Sequence, residues 1–164
     1  AIEGDFSDSN PSGAGGGALP GGIGWYRKHF TVSDLPGQGK AAHYYIDFDG
    51  VYMNSTVYLN GHELGNRPYG YSSFRYELTP YLNKTGENVL AVKVDNSDQP
   101  NSRWYSGCGI YRHVWVVGTS DLHIAHWGMH VISQANGRMN VDHFLTFYLQ
   151  TSYSLVSTSL ATYS

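Results

Sequence analysis

Cysteine occurs once in the 164 residues, as Cys108, so a fold stapled by internal disulfides is excluded. Charge is scarce: Asp, Glu, Lys and Arg together make up 14% and the formal net charge is -3. Such a balance offers no basic footprint, so nucleic acid is not an expected partner. No apolar run approaches the roughly 20 residues of a membrane helix, and no membrane partner is expected either. The opening residues carry no signal-peptide pattern, which reads as a mature, trimmed or cytoplasmic chain. Long amphipathic helical periodicity and βαβ alternation are also missing, which sets aside coiled coils and doubly wound folds. What the chain has instead is 15% aromatic residues, 14 of them Tyr and 4 Trp, and 20 Gly. That mixture describes an all-β protein. The length fits one domain with room for part of a second.

Residues 1–24 are rich in Gly, Pro and Ser, with Asn10-Pro11-Ser12-Gly13 and Gly15-Gly16-Gly17. This is an irregular arm, and composition by itself favours a plain linker. Period-2 alternation then starts at Trp25. Tyr26, Phe30 and Val32 share one face; Ala42, Tyr44, Ile46 and Phe48 alternate with His43, Tyr45 and Asp47. Val51–Leu59 reads as one strand with Val51, Met53, Val57 and Leu59 on one side, followed at once by the hairpin signal Asn60-Gly61. Phe74–Leu78 is another short strand. Thr79-Pro80-Tyr81-Leu82 reads as one helical turn with Thr79 as its cap. Asn88–Asp95 turns Leu90, Val92 and Val94 inward, and Ile110–Val117 and the segment from Leu122 are further strands. Many short strands with regular turns predict a sandwich or jelly roll. From about Gln134 the chain changes character, with Val141–Leu149 as one more candidate strand.

Glycosidic hydrolysis usually needs two carboxyl groups flanking the bond. The only glutamates are Glu3, Glu63, Glu77 and Glu87, and each is expected as a solvated surface residue. Asp47 and Asp49 give no convincing pair. His126 and His130 share a strand face but sit roughly 13 Å apart, and His123 faces the other way, so no metal site is expected. Cys108 lacks a base and orienting partner nearby in sequence and reads as a small buried or half-buried residue. The richest stretch is Asp95–Arg112, which places Asp98, Asn101 and Arg103 beside Trp104, Tyr105 and Tyr111. Sugar hydroxyls suit planar polar groups, and sugar C–H faces suit aromatic rings. The same residues serve equally well as a polar turn with Trp104 and Tyr111 capping the core.

Several of these stretches resemble one known family in order and spacing. RWYSGCGIYRHVWV at 103–116 is similar to the hallmark of the N-terminal sugar-binding domain of glycoside hydrolase family 2, which contains β-galactosidases, β-glucuronidases and β-mannosidases. GGIGWYRKHF at 21–30, the run 47–82 with its NG hairpin and "GY..F" turn, and GENVLAVKVDN at 86–96 resemble further parts of that domain. The resemblance implies a galactose-binding-like jelly roll over residues 1–130. It also implies that residues 131–164 form a C-terminal strand and tail leading toward an absent immunoglobulin-like domain. In the family a (β/α)₈ barrel follows and carries both catalytic glutamates, so the chain alone is expected to be inactive. The start of the chain resembles the middle of the family's opening segment, which implies preceding residues as well.

The β-galactosidase branch has an asparagine in an Asn-Pro-x-Gly segment that reaches the barrel's active site. Asn10-Pro11-Ser12-Gly13 matches it, which makes Asn10 the carried-over candidate and reverses the linker reading of the arm. The family's acidic residue before the Trp has no counterpart at its spacing here, where Ser102 or Arg103 stands. Asp98, Asn101, Arg103 and Trp104 are the remaining substrate-binding candidates. The expectation is a non-catalytic sugar-binding domain of a family 2 glycosidase, most specifically a β-galactosidase, that supports the catalytic barrel and completes its substrate pocket. An autonomous carbohydrate-binding module and a purely structural domain are the alternatives. Expected partners are a β-galactoside-like carbohydrate, the remaining domains of the parent enzyme and a second copy, through the tail aromatics Phe144, Phe147, Tyr148 and Tyr153. No cofactor is implied. The compartment stays open, with a periplasmic or secreted setting favoured over the cytoplasm.

Overall fold

The computed structural model describes residues 6–16, 18, 20–98, 107–133, 139–149 and 152–153. Among them, twelve strands alternate with short 3-10 turns. The chain divides into two compact units, Ala1–Gly118 and Thr119–Ser164.

In the first unit, β1 (Gly22–Thr31), β4 (Ser55–Leu59), β5 (His62–Arg67) and β7 (Glu87–Asn96) form an antiparallel sheet in the order β1-β7-β4-β5. A second sheet has the order β6-β2-β9, from β2 (His43–Phe48), β6 (Phe74–Glu77) and β9 (Val114–Thr119). The two sheets enclose one core as a β-sandwich, the jelly-roll architecture expected from the short strands and regular turns. A small ladder joins β3 (Val51–Tyr52) to β8 (Gly109–Ile110).

Alternation decides what goes inside. Val92 and Val94 of β7, Val57 and Leu59 of β4, and Tyr44, Ile46 and Phe48 of β2 are all buried in one cluster with Leu35, Val51, Phe74 and Leu78. Phe48 stacks on Phe74 with ring centroids 4.9 Å apart. Truncating so deeply buried a ring typically costs about 3–5 kcal/mol, because lost burial and a residual cavity add. The far end of the sandwich is closed by polar groups. Asn88 is fully buried, and its carboxamide oxygen accepts from Asn60 Nδ2 and the Asn83 amide, both at 2.8 Å.

The Asn60-Gly61 hairpin forms as expected. Both residues have positive φ, 52° and 84°, and Leu59 pairs with His62 across the turn. Other expectations need correction. Val51–Leu59 is not one strand: the backbone turns at Asn54, φ 46°, so β3 pairs with β8 while β4 pairs with β7. β1 ends at Thr31 because the Asp34 carboxylate accepts from the Thr31 amide and hydroxyl, and Val32 falls in a 3-10 turn. Leu78, not Thr79, caps the turn at Thr79–Tyr81; the Thr79 hydroxyl instead accepts from the Tyr44 amide at 2.8 Å. Ile110–Val117 is split between β8 and β9.

The second unit has the sheet order β10-β11-β12, with β10 (Leu122–Ser133), β11 (Met139–Leu149) and β12 (Ser152–Tyr153). Pairing shifts between Ile124 and Met129, where Trp127 takes φ 60°. That bulge breaks the plain alternation assumed for His123, His126 and His130.

Candidate functional site

Register gathers the chemistry-bearing segments at one end of the sandwich. Gly22 pairs with Asn96, and Ser55 pairs with both Val94 and Arg67. The start of β1, the end of β7, the start of β4 and the end of β5 therefore lie together. The arm before Gly22, the loop after Asn96, the turn at Asn54 and the loop at 68–73 all leave the sheet here. The β3–β8 ladder sits among them: the Asp95 amide donates to Met53 O at 3.1 Å, and Tyr52 pairs with Gly109.

The arm is a closed loop and not a free linker. The Ser7 amide donates to Ala18 O at 3.1 Å, and the Ala18 amide to Gly13 O at 2.8 Å. Asn10 fastens the same loop: its Nδ2 donates to Ala18 O at 2.8 Å, and its carbonyl accepts from the Gly13 amide at 2.9 Å. Gly13 takes φ +57°, a conformation that favours glycine. Ser12, within this turn, is buried. The Asn-Pro-x-Gly segment is thus an ordered turn that holds Asn10 in place.

The loop after β7 has defined roots. Asp95 Oδ1 accepts from the Ser97 hydroxyl at 2.6 Å and the Ser97 amide at 3.2 Å. These bonds, the hydroxyl's first, hold the Asp95 carboxyl below its ordinary pKa, with help from Lys93 Nζ at 3.3 Å. Asn96 is buried and turns its amide to the Cys108 sulfur. Gly109, at φ +94°, has no room for a side chain because the Tyr26 hydroxyl fills the space. That hydroxyl accepts from the Ile110 amide at 3.3 Å. Asp98 is exposed at the last described position before the loop. Asn101, Arg103 and Trp104 lie outside the described residues, so Asn10 and Asp98 are the sequence candidates with a described position.

Past the loop, Tyr111 lies against Gly50 and its hydroxyl donates to Gly70 O at 2.9 Å. It is 45% exposed, so it does not cap the core. Sequence reading placed Asp95 at the edge of the polar stretch and Tyr26 on a strand face but assigned neither to the loop's roots, and it gave the tyrosines of the 68–73 loop no contact role. The Asp-x-Ser spacing at 95–97 is the local signal that could have found the first.

The carboxylates elsewhere form no catalytic pair among the described residues. Glu87 pairs with His29 at 3.0 Å at the opposite end of the β1–β7 ladder. Glu77 is not a solvated residue as expected: it is partly buried and meets His43 Nδ1 at 3.1 Å. Among the described residues no cluster of His, Cys, Asp and Glu is arranged to hold a metal ion.

Comparison with known proteins adds to this geometry. Residues 24–123 match the family model described as glycosyl hydrolase 2 galactose-binding domain-like. The β-galactosidase BoGH2A of Bacteroides ovatus is 63% identical over 135 residues, 82% of this chain and 16% of that protein. A β-glucuronidase of Formosa agariphila is 37% identical over 112 residues, 61% of this chain and 11% of its own length. A crystal structure of a β-glycosidase from Bacteroides vulgatus superposes with a TM-score of 0.78 at 41% identity, covering 88% of this chain and 19% of that one. The chain therefore spans less than a fifth of the length of each of these relatives.

Proposed function

Because the chain belongs to the glycosyl hydrolase 2 galactose-binding-like domain family, we propose that it serves a family 2 β-galactosidase as a non-catalytic domain that completes one wall of the substrate pocket. Its partners on this reading are a β-galactoside and the remaining domains of the parent enzyme, including the barrel that supplies the two catalytic glutamates of a retaining hydrolysis. The single observation that carries the reading is the pairing of Gly22 with Asn96. It makes the Asn10 arm and the polar, aromatic loop after Asn96 leave the sheet side by side, as two neighbouring contributions to one pocket require. The choice of galactoside over glucuronide leans on the 63% identity to BoGH2A.

The test is Asn10→Ala in the full-length enzyme. An amide that both donates to and accepts from sugar hydroxyls contributes about 1–3 kcal/mol, so kcat/KM should fall by about 5- to 150-fold. Thermal unfolding followed alongside separates loss of the sugar contact from loosening of the loop that Asn10 ties to Ala18. An unchanged kcat/KM sinks the pocket-wall role and leaves a structural domain.

A further inference from the structure

The loop at 68–73 is built as a display. Its backbone is held at two points: the Asn54 amide donates to Pro68 O at 3.0 Å, and the Tyr111 hydroxyl donates to Gly70 O at 2.9 Å. Gly70 presses on the Tyr52 ring so closely that a Cβ there would collide with it. Tyr52 in turn meets Tyr71 edge-on, with centroids 5.2 Å apart, and Tyr71 meets Tyr69 edge-on at 5.8 Å. Despite this rigid mounting, Tyr69 is 62% exposed and Tyr71 55%. Two large rings are thus fixed in solvent at the end of the sandwich where the arm and the Asn96 loop emerge. Positions 68–73 read Pro-Tyr-Gly-Tyr-Ser-Ser, with no Leu, Ile, Val or Met, and the chemistry offered is mainly ring faces, phenol hydroxyls and serine hydroxyls.

We propose that Tyr69 and Tyr71 form an aromatic platform for a sugar unit on the leaving-group side of the scissile bond. This rests on the pocket-wall reading above and names the substrate class it favours: a β-galactosyl-terminated oligosaccharide rather than a simple galactoside. The electron-rich ring faces attract the polarised C–H faces of a pyranose, and the phenol hydroxyls pair with its hydroxyls. Because Tyr71 is seated against Tyr52 and Tyr69 against Tyr71, on a backbone held at Gly70, little side-chain freedom is lost on stacking.

The experiment uses the full-length enzyme with two substrates, methyl β-galactoside and a β-galactosyl-terminated oligosaccharide, and the variants Tyr69→Ala, Tyr71→Ala and Tyr69→Phe. Each Ala variant should lower kcat/KM on the oligosaccharide about 5- to 10-fold, mainly through KM, and leave the methyl galactoside unchanged. Tyr69→Phe, which keeps the ring, should retain most of the oligosaccharide activity. An equal loss on both substrates overturns the platform and marks these rings as a seat for a neighbouring domain. No loss on either substrate also overturns it. Asn10→Ala in the same series keeps the two readings apart: if it changes neither substrate the pocket wall fails, whereas the platform is judged on the substrate ratio of the tyrosine variants.

Discussion

The hydroxyl of Tyr26 occupies the space that a side chain on Gly109 would need, and it accepts a hydrogen bond from the Ile110 amide at 3.3 Å. One contact thus joins β1 to the strand that follows the Asn96 loop, across 83 residues of sequence. It explains why a glycine stands at φ +94° and why a tyrosine, not a phenylalanine, faces it. The loop's second root is fixed by the ring that its first neighbouring strand supplies.

Gly109→Ala should accordingly destabilise the domain by about 2–3 kcal/mol, since positive φ and a clash act together. Tyr26→Phe keeps the ring and loses only the acceptor, so about 1 kcal/mol is expected. Urea unfolding midpoints of the two variants give the comparison. A Gly109→Ala variant as stable as the unmodified protein would contradict the geometry.

Asp47 and Arg75 pair across β2 and β6 with two hydrogen bonds, Nε to Oδ1 at 2.6 Å and Nη2 to Oδ2 at 2.7 Å, while the guanidinium lies 5.0 Å from the Tyr45 ring centroid. The Arg75 and Asp47 side chains are 18% and 17% exposed, so solvent screens the pair only in part. Asp47→Ala leaves a largely desolvated cation and should cost about 2–3 kcal/mol. Asp47→Ala combined with Arg75→Met removes both charges and should recover part of that loss. A double-mutant cycle by chemical denaturation measures the coupling, and a coupling near zero would mean the pair is as weak as an exposed one.

Local chemistry was legible in the sequence, and long-range pairing was not. The Asn60-Gly61 turn and the inward set Leu90, Val92 and Val94 follow from turn propensity and period 2. The break at Asn54 does not, because an alternating apolar run looks the same whether one partner strand or two receive it. The arm reads as a linker because its order comes from hydrogen bonds such as Asn10 to Ala18 and not from apolar pattern. The Asp95–Ser97 contact at 2.6 Å is local, yet a polar loop offers many such pairings and sequence alone does not choose among them. Tyr69 and Tyr71 sit in a stretch where tyrosines are common, and nothing in their spacing separates a displayed ring from a packed one. Asn10 and its neighbours were singled out by family resemblance, with no periodicity to mark them.

The chain by itself should not turn over substrate. Glu77 and Glu87 are each engaged by a histidine, and Glu87 opens β7 at the end opposite the arm. Purified chain incubated with an aryl β-galactoside should release no more phenol than buffer does. Turnover abolished by Glu63→Gln, Glu77→Gln or Glu87→Gln would show a catalytic carboxylate inside this domain.

The Asp95 contact predicts a pH dependence. Its carboxyl titrates below the ordinary range in the folded chain, because the ionised form accepts from Ser97 and faces Lys93. The stabilisation is therefore fully present above the ordinary carboxylate pKa and is lost as pH falls through the lowered folded value. Asp95→Asn keeps a carbonyl acceptor without that titration. The stability difference between the two proteins should be constant near neutral pH and shrink in acid. A difference that does not change down to acid unfolding would show that the charge on Asp95 does not matter.

The second unit predicts association. Leu122 and Ile124 lie on one face of β10; across the bulge Ile124 pairs with Leu145 and Met129 with His143, two residues apart on β11, so Met129 and Val131 continue the same face. All four are about half exposed, and Trp127 at the bulge is 80% exposed. A contiguous apolar face of this kind is normally covered, and in the isolated chain a second copy is the available cover. Sedimentation or light scattering should show reversible self-association that strengthens with concentration and with sulfate, which favours apolar burial. Ile124→Lys and Met129→Lys place charge in the middle of the face and should shift the equilibrium toward monomer without unfolding the Ala1–Gly118 unit, monitored by its thermal transition. A chain that remains monomeric at millimolar concentration, or lysine variants that associate as strongly as the unmodified protein, would rule this face out as the contact.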